Sequence, residues 1–286
     1  MSPVTDVEAL PDADEESHLD LLGSLVVAVV VGGALAATAY SSAAGLLVAV
    51  AAAQALLAAA WVYGTGVPGR NGALVIAALA AAGADVAVSV WPHGRLGTLL
   101  PVLGLAVPVM FIHQLMRGAA RLQVVSSLSA VAMLVLAEVS LPALVQIRHE
   151  FPSSDLGGRV TATAVAAMAG ALVIGYFVDL LFPAPRFDPA VPRGLLALIA
   201  SAGLGGSIGY LMLRTQTEFA EGRGTFVGGA LGALAGLVAV AAAFVLHTTP
   251  APSRPFAVRL RAAISAVLPL CVLAPPAFLL CLAIRA

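Results

Sequence analysis

The sequence has no lysine and little charge of either sign. All fourteen basic residues are arginine, and 10% of the 286 residues are charged. An ordinary soluble domain carries roughly 25% charged residues, so this composition excludes that class. The absence of lysine excludes a lysine nucleophile, general base or phosphate ligand. A net charge of −1 offers no basic surface for a nucleic acid, and we expect no nucleic-acid partner.

Cysteine and clustered metal ligands are also scarce. Cys271 and Cys281 lie about 80° apart around one predicted helix, so they are expected to form neither a disulfide nor a metal pair. No histidine forms a short-spaced motif with another metal-ligating side chain on one helical face. We therefore predict no metal site, no cofactor and no catalytic residue. The five histidines are His18, His93, His113, His149 and His247.

Long apolar runs dominate what is present, and the mean hydropathy is +1.02. A bilayer core about 30 Å thick needs roughly 20 apolar residues of helix to cross it. The runs predict an all-α polytopic transmembrane bundle of about nine spans, which forms one transmembrane helical domain over residues 21–286. The predicted spans are Leu21–Tyr40, Ala44–Tyr63, Ala73–Trp91, Gly97–Met116, Val125–Ile147, Val160–Phe182, Gly194–Leu213, Phe226–Leu246 and Ala262–Ile284.

Residues 1–20 form an acidic tail that precedes the first span. This segment has seven acidic side chains, no arginine and few large apolar groups, so we expect it to be disordered. It lacks the basic start of a secretory signal, and we expect it to be retained. The acidic residues are Asp6, Glu8, Asp12, Asp14, Glu15, Glu16 and Asp20.

The distribution of arginine predicts an orientation in the membrane. With the N-terminus inside, the inner segments hold eight arginines and the outer segments hold six. The positive-inside rule therefore favours a cytoplasmic N-terminus in a multi-pass plasma-membrane protein.

The loop Pro183–Arg193 is rich in proline, which keeps a chain extended and stiff. Two interpretations remain open. The loop is either a rigid connector, or it binds a lipid headgroup through Arg186 and Arg193.

Glycines recur at helical spacing in two spans. Gly205 and Gly209 lie four residues apart, as do Gly228, Gly232 and Gly236. Such stripes let neighbouring backbones approach closely in a membrane, so we interpret them as packing surfaces.

Four ionisable residues lie at membrane depth: Asp85, His113, Glu138 and Asp179. Counting from the loop ends predicts two levels, with Asp85 and Glu138 toward the outer face and His113 and Asp179 near the inner face. A charged carboxylate at mid-bilayer costs roughly 2.5–3.5 kcal/mol on insertion scales, so these groups are expected to be protonated, paired or hydrated. A proton relay or cation site explains them, and so do interhelical hydrogen bonds or a water-filled cavity.

Pro142 stands four residues after Glu138 and removes the main-chain donor that would bond to the Glu138 carbonyl. A freed carbonyl and a carboxyl group at one level predict a site for a cation or water. A simple structural kink is the alternative.

Two stretches resemble the integral-membrane phosphatidate cytidylyltransferases, the family that makes CDP-diacylglycerol. These are VSVWPHGRLGTLLPVLGLAVPVMFIHQLMR (residues 88–117) and IGYFVDLLFPAPRFDPAVPRGLLALIASAGLGGSIG (residues 174–209). The resemblance implies a related membrane fold over residues 20–286, an association with phospholipid, and a lipid-pathway membrane enzyme as partner.

The motifs that carry that family's chemistry are absent. The Ser-Pro-Lys-Lys motif is replaced by Ala190-Val191-Pro192-Arg193, and the metal-binding C-terminal signature is replaced by the stretch His247–Ser265. Phosphoryl-type transfer depends on such charge stabilisation. The sequence therefore predicts a non-catalytic accessory protein that associates with lipid. The alternative is a proton-coupled transporter of small solutes or lipid that uses its intramembrane carboxylates.

Overall fold

The computed structural model describes residues 13–117, 123–182, 184–188, 191–216, 222–249 and 255–283. This part of the chain is almost entirely helical and contains nine helical segments long and apolar enough to cross a bilayer. The predicted all-α polytopic bundle is confirmed. The helices are α1 Ala13–Ser41, α2 Ala43–Gly64, α3 Arg70–Val90, α4 Leu100–Met116, α5 Val124–Ser140, α6 Ala143–His149, α7 Ser154–Leu181, α8 Leu195–Leu213, α9 Arg223–Thr248 and α10 Pro255–Ala283.

Several helices begin earlier than their apolar runs predict, and α1 and α7 are two of them. α1 begins at Ala13 rather than Leu21. Residues 1–12 of the predicted acidic tail lie outside the described residues. α7 begins at Ser154 rather than Val160, since the Ser153 hydroxyl accepts a hydrogen bond from the Leu156 N–H at 3.2 Å and caps the helix.

Proline acts differently in two of the spans. Pro142 separates α5 from α6, so one span contains a break within the bilayer. Pro269, Pro275 and Pro276, by contrast, lie inside α10, which continues through all three. Pro269 lacks the main-chain donor that would bond to the Ser265 carbonyl of α10. That carbonyl instead accepts a hydrogen bond from the Tyr176 hydroxyl at 2.7 Å.

The core lies around α10, which packs on α1, α2, α5, α6 and α9. The spans formed by α5 with α6, by α7 and by α10 are mostly buried, whereas α4 is mostly exposed at the periphery. Both cysteines lie in α10 and are buried free thiols. The polar residues described below thus project into the best-packed part of the bundle.

Glycine mediates the close packing of α8 on α9. A Cβ atom placed on Gly205 would collide with the main chain of Gly228 and lie 2.9 Å from the Cα atom of Gly232. Gly209 stands in the same relation to Gly224. The glycine stripes are therefore packing surfaces, as predicted.

A small hairpin interrupts the helices between α7 and α8. Strand β1, Arg186–Asp188, pairs antiparallel with β2, Val191–Gly194, and Arg186 lies opposite Gly194. The sequence predicted only an extended, stiff connector here. The pairing was not predicted because the strands are short and β2 contains Pro192, which disfavours central strand positions.

Two arginines bind helix ends at opposite membrane faces. Arg148 donates to the main-chain oxygen of Ala39 near the end of α1. Arg261 donates to the oxygens of Gly64 at 3.3 Å, Leu246 at 3.0 Å and Thr249 at 2.5 Å, and so joins the ends of α2 and α9. Cationic groups stabilise the carbonyl-rich ends of helices. These contacts agree with the predicted alternation of loops between the two faces.

Candidate functional site

The break at Pro142 creates a polar contact between two helices. The Gln54 side-chain amide in α2 donates to the main-chain oxygen of Glu138 in α5 at 2.9 Å. The Glu138 carbonyl therefore lacks its helical donor, as predicted, and a protein side chain supplies a donor in its place. A buried carbonyl without its helical donor needs such a partner, because leaving it unpaired costs roughly 1–3 kcal/mol. The same contact places the Gln54 side chain beside Glu138.

The Glu138 carboxyl group is the most deeply buried acid of this cluster. Its residue is fully buried, and neither carboxyl oxygen has a hydrogen-bond partner among the described residues. The side-chain oxygen of Gln54 and one carboxyl oxygen of Asp85 are also buried without a partner there. Four acceptor oxygens from three helices therefore lie in this region without a hydrogen-bond partner among the described residues.

Asp85 connects this region to the edge of the bundle. Its half-buried carboxyl group interacts with the Gln54 side chain and acts electrostatically on Glu138. The two acids predicted to share a level do lie together. Cys271, from the central helix α10, is also within electrostatic range of Glu138. We name the group formed by Gln54, Asp85 and Glu138 the carboxylate cluster.

The chemistry of the carboxylate cluster follows from its excess of acceptors. Two ionised carboxylates would repel each other, and no cationic side chain of the described residues acts on Glu138. A proton on one carboxyl group supplies a donor to a neighbouring oxygen and removes a charge that is costly in the bilayer. The cluster is therefore suited to hold and release a proton. Within the described residues no three metal-ligating side chains lie together.

Asp179 belongs to a second, separate group. Its carboxyl oxygens accept from the Arg193 guanidinium at 2.9 Å and from the Gly194 N–H at 2.9 Å. The guanidinium lies 3.9 Å from the centre of the Tyr176 ring, in a cation–π contact. Asp179, Arg193 and Tyr176 are all buried, so this ion pair anchors the hairpin to α7.

This ion pair changes the interpretation of the two arginines predicted to bind headgroups. Arg193 is only 5% exposed and its charge is paired with Asp179, which removes it from headgroup recognition. The sequence did not predict the pairing of Arg193 with Asp179, because Asp179 lies in the preceding helix, fourteen positions earlier in the chain. Arg186, on β1, is exposed and remains a candidate.

His113 does not join Asp179, although both were predicted at one level. The imidazole in α4 packs against Gly72 of α3, where any Cβ atom would collide with the ring, and lies 3.2 Å from the Cβ position of Gly69. Its Nε2 atom is buried without a partner among the described residues. Gly72 thus provides the space for the ring, and we assign His113 to helix packing.

Sequence reasoning missed Gln54, which completes the carboxylate cluster. A single amide side chain in the alanine-rich middle of α2 was the available signal. Polar side chains in membrane helices commonly form hydrogen bonds across helices, so this amide indicates an interhelical hydrogen bond. Its partner could not be identified, since the contact joins residues 84 positions apart.

Comparison of the chain with protein-family models, with curated proteins and with solved structures found no match.

Proposed function

We propose that this protein is a proton-coupled membrane transporter in which Glu138 and Asp85 hold the coupling proton. The single observation that supports the proposal best is the fully buried Glu138 carboxyl group without a hydrogen-bond donor among the described residues. Intramembrane acids facing a bundle interior mark proton relays and ion pathways. The neighbouring half-buried Asp85 gives that acid a second group with which to exchange the proton.

The break at Pro142 supports the same function. Transporters bind coupling ions where a membrane helix is interrupted, because the freed main-chain groups and nearby side chains form the site. Here the interruption lies four residues after Glu138, and Gln54 occupies the freed carbonyl. Movement of α2 relative to α5 would change the surroundings of Glu138 and hence its affinity for a proton. We further propose that the protein lies in the plasma membrane with its N-terminus in the cytoplasm.

Carbodiimide labelling of the purified protein tests proton binding at Glu138. Dicyclohexylcarbodiimide adds to a protonated carboxyl group in an apolar site: the O–H bond adds across a C=N bond, and the acylisourea rearranges to a stable acylurea. We expect peptide mass spectrometry to find the adduct at Glu138 at neutral pH. Glu138→Gln should remove the adduct, and Asp155→Asn, which alters an exposed acid of α7, should retain it. An unreactive Glu138 in the folded wild-type protein would overturn the proposal.

Transport is tested with the same variants in proteoliposomes. An imposed pH gradient should drive accumulation of a solute found in a screen of small metabolites and lipids. Glu138→Gln and Asp85→Asn should abolish this accumulation, and Asp155→Asn should leave it unchanged. Accumulation that persists in Glu138→Gln would refute coupling through this residue. Protection of Glu138 from carbodiimide by sodium ions would refute proton coupling and would assign the site to sodium.

A lipid-associated accessory role is the second proposal, and the exposed Arg186 supports it. This arginine stands on β1 beside the exposed Phe187, and an arginine with an aromatic neighbour suits a phosphate headgroup at the membrane surface. The cytidylyltransferase resemblance and a lipid-pathway enzyme as partner remain predictions within this proposal. Arg186→Ala should reduce retention of phosphatidate by the purified protein, whereas Arg70→Ala, another exposed arginine, should not. Equal retention by both variants would dismiss the role of Arg186.

A further inference from the structure

A buried polar contact joins α6 to the segment that precedes α4, on the Pro142 side of the carboxylate cluster. Gln146 in α6 is fully buried, and its amide donates to the main-chain oxygen of Arg95 and to the Thr98 hydroxyl, each at 2.6 Å. Arg95 is exposed and Thr98 is half-buried, so this contact connects the interior to the surface. The side-chain oxygen of Gln146 has no partner in the described part of the chain.

The two acids lie on the same side of the bilayer as this polar contact. Asp85 is about 8 Å along α3 from Val90 and about 22 Å from Arg70, at 1.5 Å per residue. The next residue on the same face of α3, one turn further, is the exposed Ser89. A ring contact of 6.1 Å between His93 and His149 confirms that the loop after α3 and the end of α6 meet at one face.

In the opposite direction, the buried side of α5 is apolar from Glu138 back to Val131, and the next buried polar side chain is Ser127, about 16 Å from Glu138 along the helix. The residues that precede Glu138 on its buried side are Val131, Leu134 and Val135, each no more than 2% exposed. After Glu138, the chain carries the buried Ser140, the Pro142 break and the buried Gln146, with Leu141 and Leu144 buried between them. The Ser140 hydroxyl donates to the main-chain oxygen of Leu136 at 2.6 Å. Water and protons move along polar groups and are excluded by packed apolar side chains.

We infer that protons reach Glu138 from the membrane face that carries Arg95 and His149, past Ser140 and Gln146, and that Val131, Leu134 and Val135 seal the site from the other face. The inference rests on the proposed proton site at Glu138. It assigns Gln146 as a positioning residue for water on the route, with Asp85 as the acid nearer the surface. The orientation proposed above makes this face the outer one.

Substituted cysteines test the route in a background with Cys271→Ala and Cys281→Ala. Ser140→Cys and Val135→Cys form a matched pair, because both positions are buried on α5 within one turn of Glu138. A cationic, membrane-impermeant methanethiosulfonate is added to sealed vesicles of either orientation. The cysteine thiolate attacks its sulfur, forms a disulfide and releases methanesulfinate.

We expect Ser140→Cys to react at least about tenfold faster than Val135→Cys, and only from the face that carries His149. Gln146→Cys should also react from that face. Its reaction rate provides a second measurement of the route if size-exclusion chromatography shows that one of the other variants is misfolded. Equal rates at the matched pair, reaction from the opposite face, or no reaction at either position overturns the route. Carbodiimide labelling of Glu138 in the same background separates the two proposals, since loss of that adduct refutes the proton site itself.

Discussion

The Gln54 amide donates to the main-chain oxygen of Glu138 at the position where Pro142 has removed the helical donor. The Tyr176 hydroxyl does the same for Ser265, four residues before Pro269. In both places proline leaves an acceptor on one helix and a side chain of another helix occupies it. These prolines therefore promote contact between helices.

A double-mutant cycle should measure this coupling at Gln54. We expect Gln54→Leu to lower the free energy of unfolding by about 1–2 kcal/mol, because it leaves the Glu138 carbonyl unpaired. In a Pro142→Ala background the new main-chain donor can bond to that carbonyl, so the same change should cost less. Unfolding by sodium dodecyl sulfate in mixed micelles measures both values. Equal losses in the two backgrounds would show that Gln54 stabilises the fold in another way.

Tyr176→Phe should isolate the second of these hydrogen bonds. The variant keeps the ring that lies against Arg193 and loses only the hydroxyl that donates to Ser265. We expect a loss of about 1 kcal/mol in the free energy of unfolding. Addition of Pro269→Ala should reduce that loss, and a cycle without coupling would contradict the assignment.

Asp179→Asn should be the most destabilising single change among these variants. It leaves the buried Arg193 without its counter-charge, and breaking a buried pair in this way costs about 3–5 kcal/mol. Asp155→Asn is the matched control on the same helix, and since that side chain is exposed we expect a change below about 1 kcal/mol. Thermal unfolding in detergent, followed by circular dichroism, measures both. Comparable stability of the two variants would rule out a structural role for the ion pair.

Alanine substitutions at two glycines of α8 should have opposite signs. Gly203 has open space around its Cβ position, so Gly203→Ala should raise helix stability by up to about 1 kcal/mol. Gly205→Ala places a methyl group against the main chain of α9 and should lower the melting temperature. Parallel melting curves provide the comparison. If the Gly205→Ala protein is as stable as the Gly203→Ala protein, close contact between α8 and α9 does not contribute to the stability of the fold.

The sequence predicted the features that depend on local composition. A run of about 20 apolar residues crosses a bilayer as a helix, so the nine spans in the described part of the chain followed from hydropathy. The level shared by Asp85 and Glu138 followed from counting residues along helices of fixed rise. The spacing of Gly205 and Gly209 likewise predicted close packing, which depends only on helical periodicity.

Features that depend on tertiary pairing could not be predicted. Arg193 appeared to be a surface residue because loop arginines usually face water, yet Asp179 and the Tyr176 ring bury it. His113 and Asp179 were predicted at one level, but they lie on helices with different neighbours. Residue counting gives depth in the membrane and gives no angle around the bundle, so it cannot distinguish partners from residues that merely lie at one height.

The Arg261 contact also has a consequence for how the protein is made. Its guanidinium binds the Gly64 carbonyl from a position 197 residues later in the chain. Synthesis runs from the N-terminus, so every helix between α2 and α10 is made before Arg261 can bind the end of α2. Closure of the bundle at that face is therefore among the last steps of biogenesis, and a chain truncated before α10 would leave three carbonyl groups without this donor.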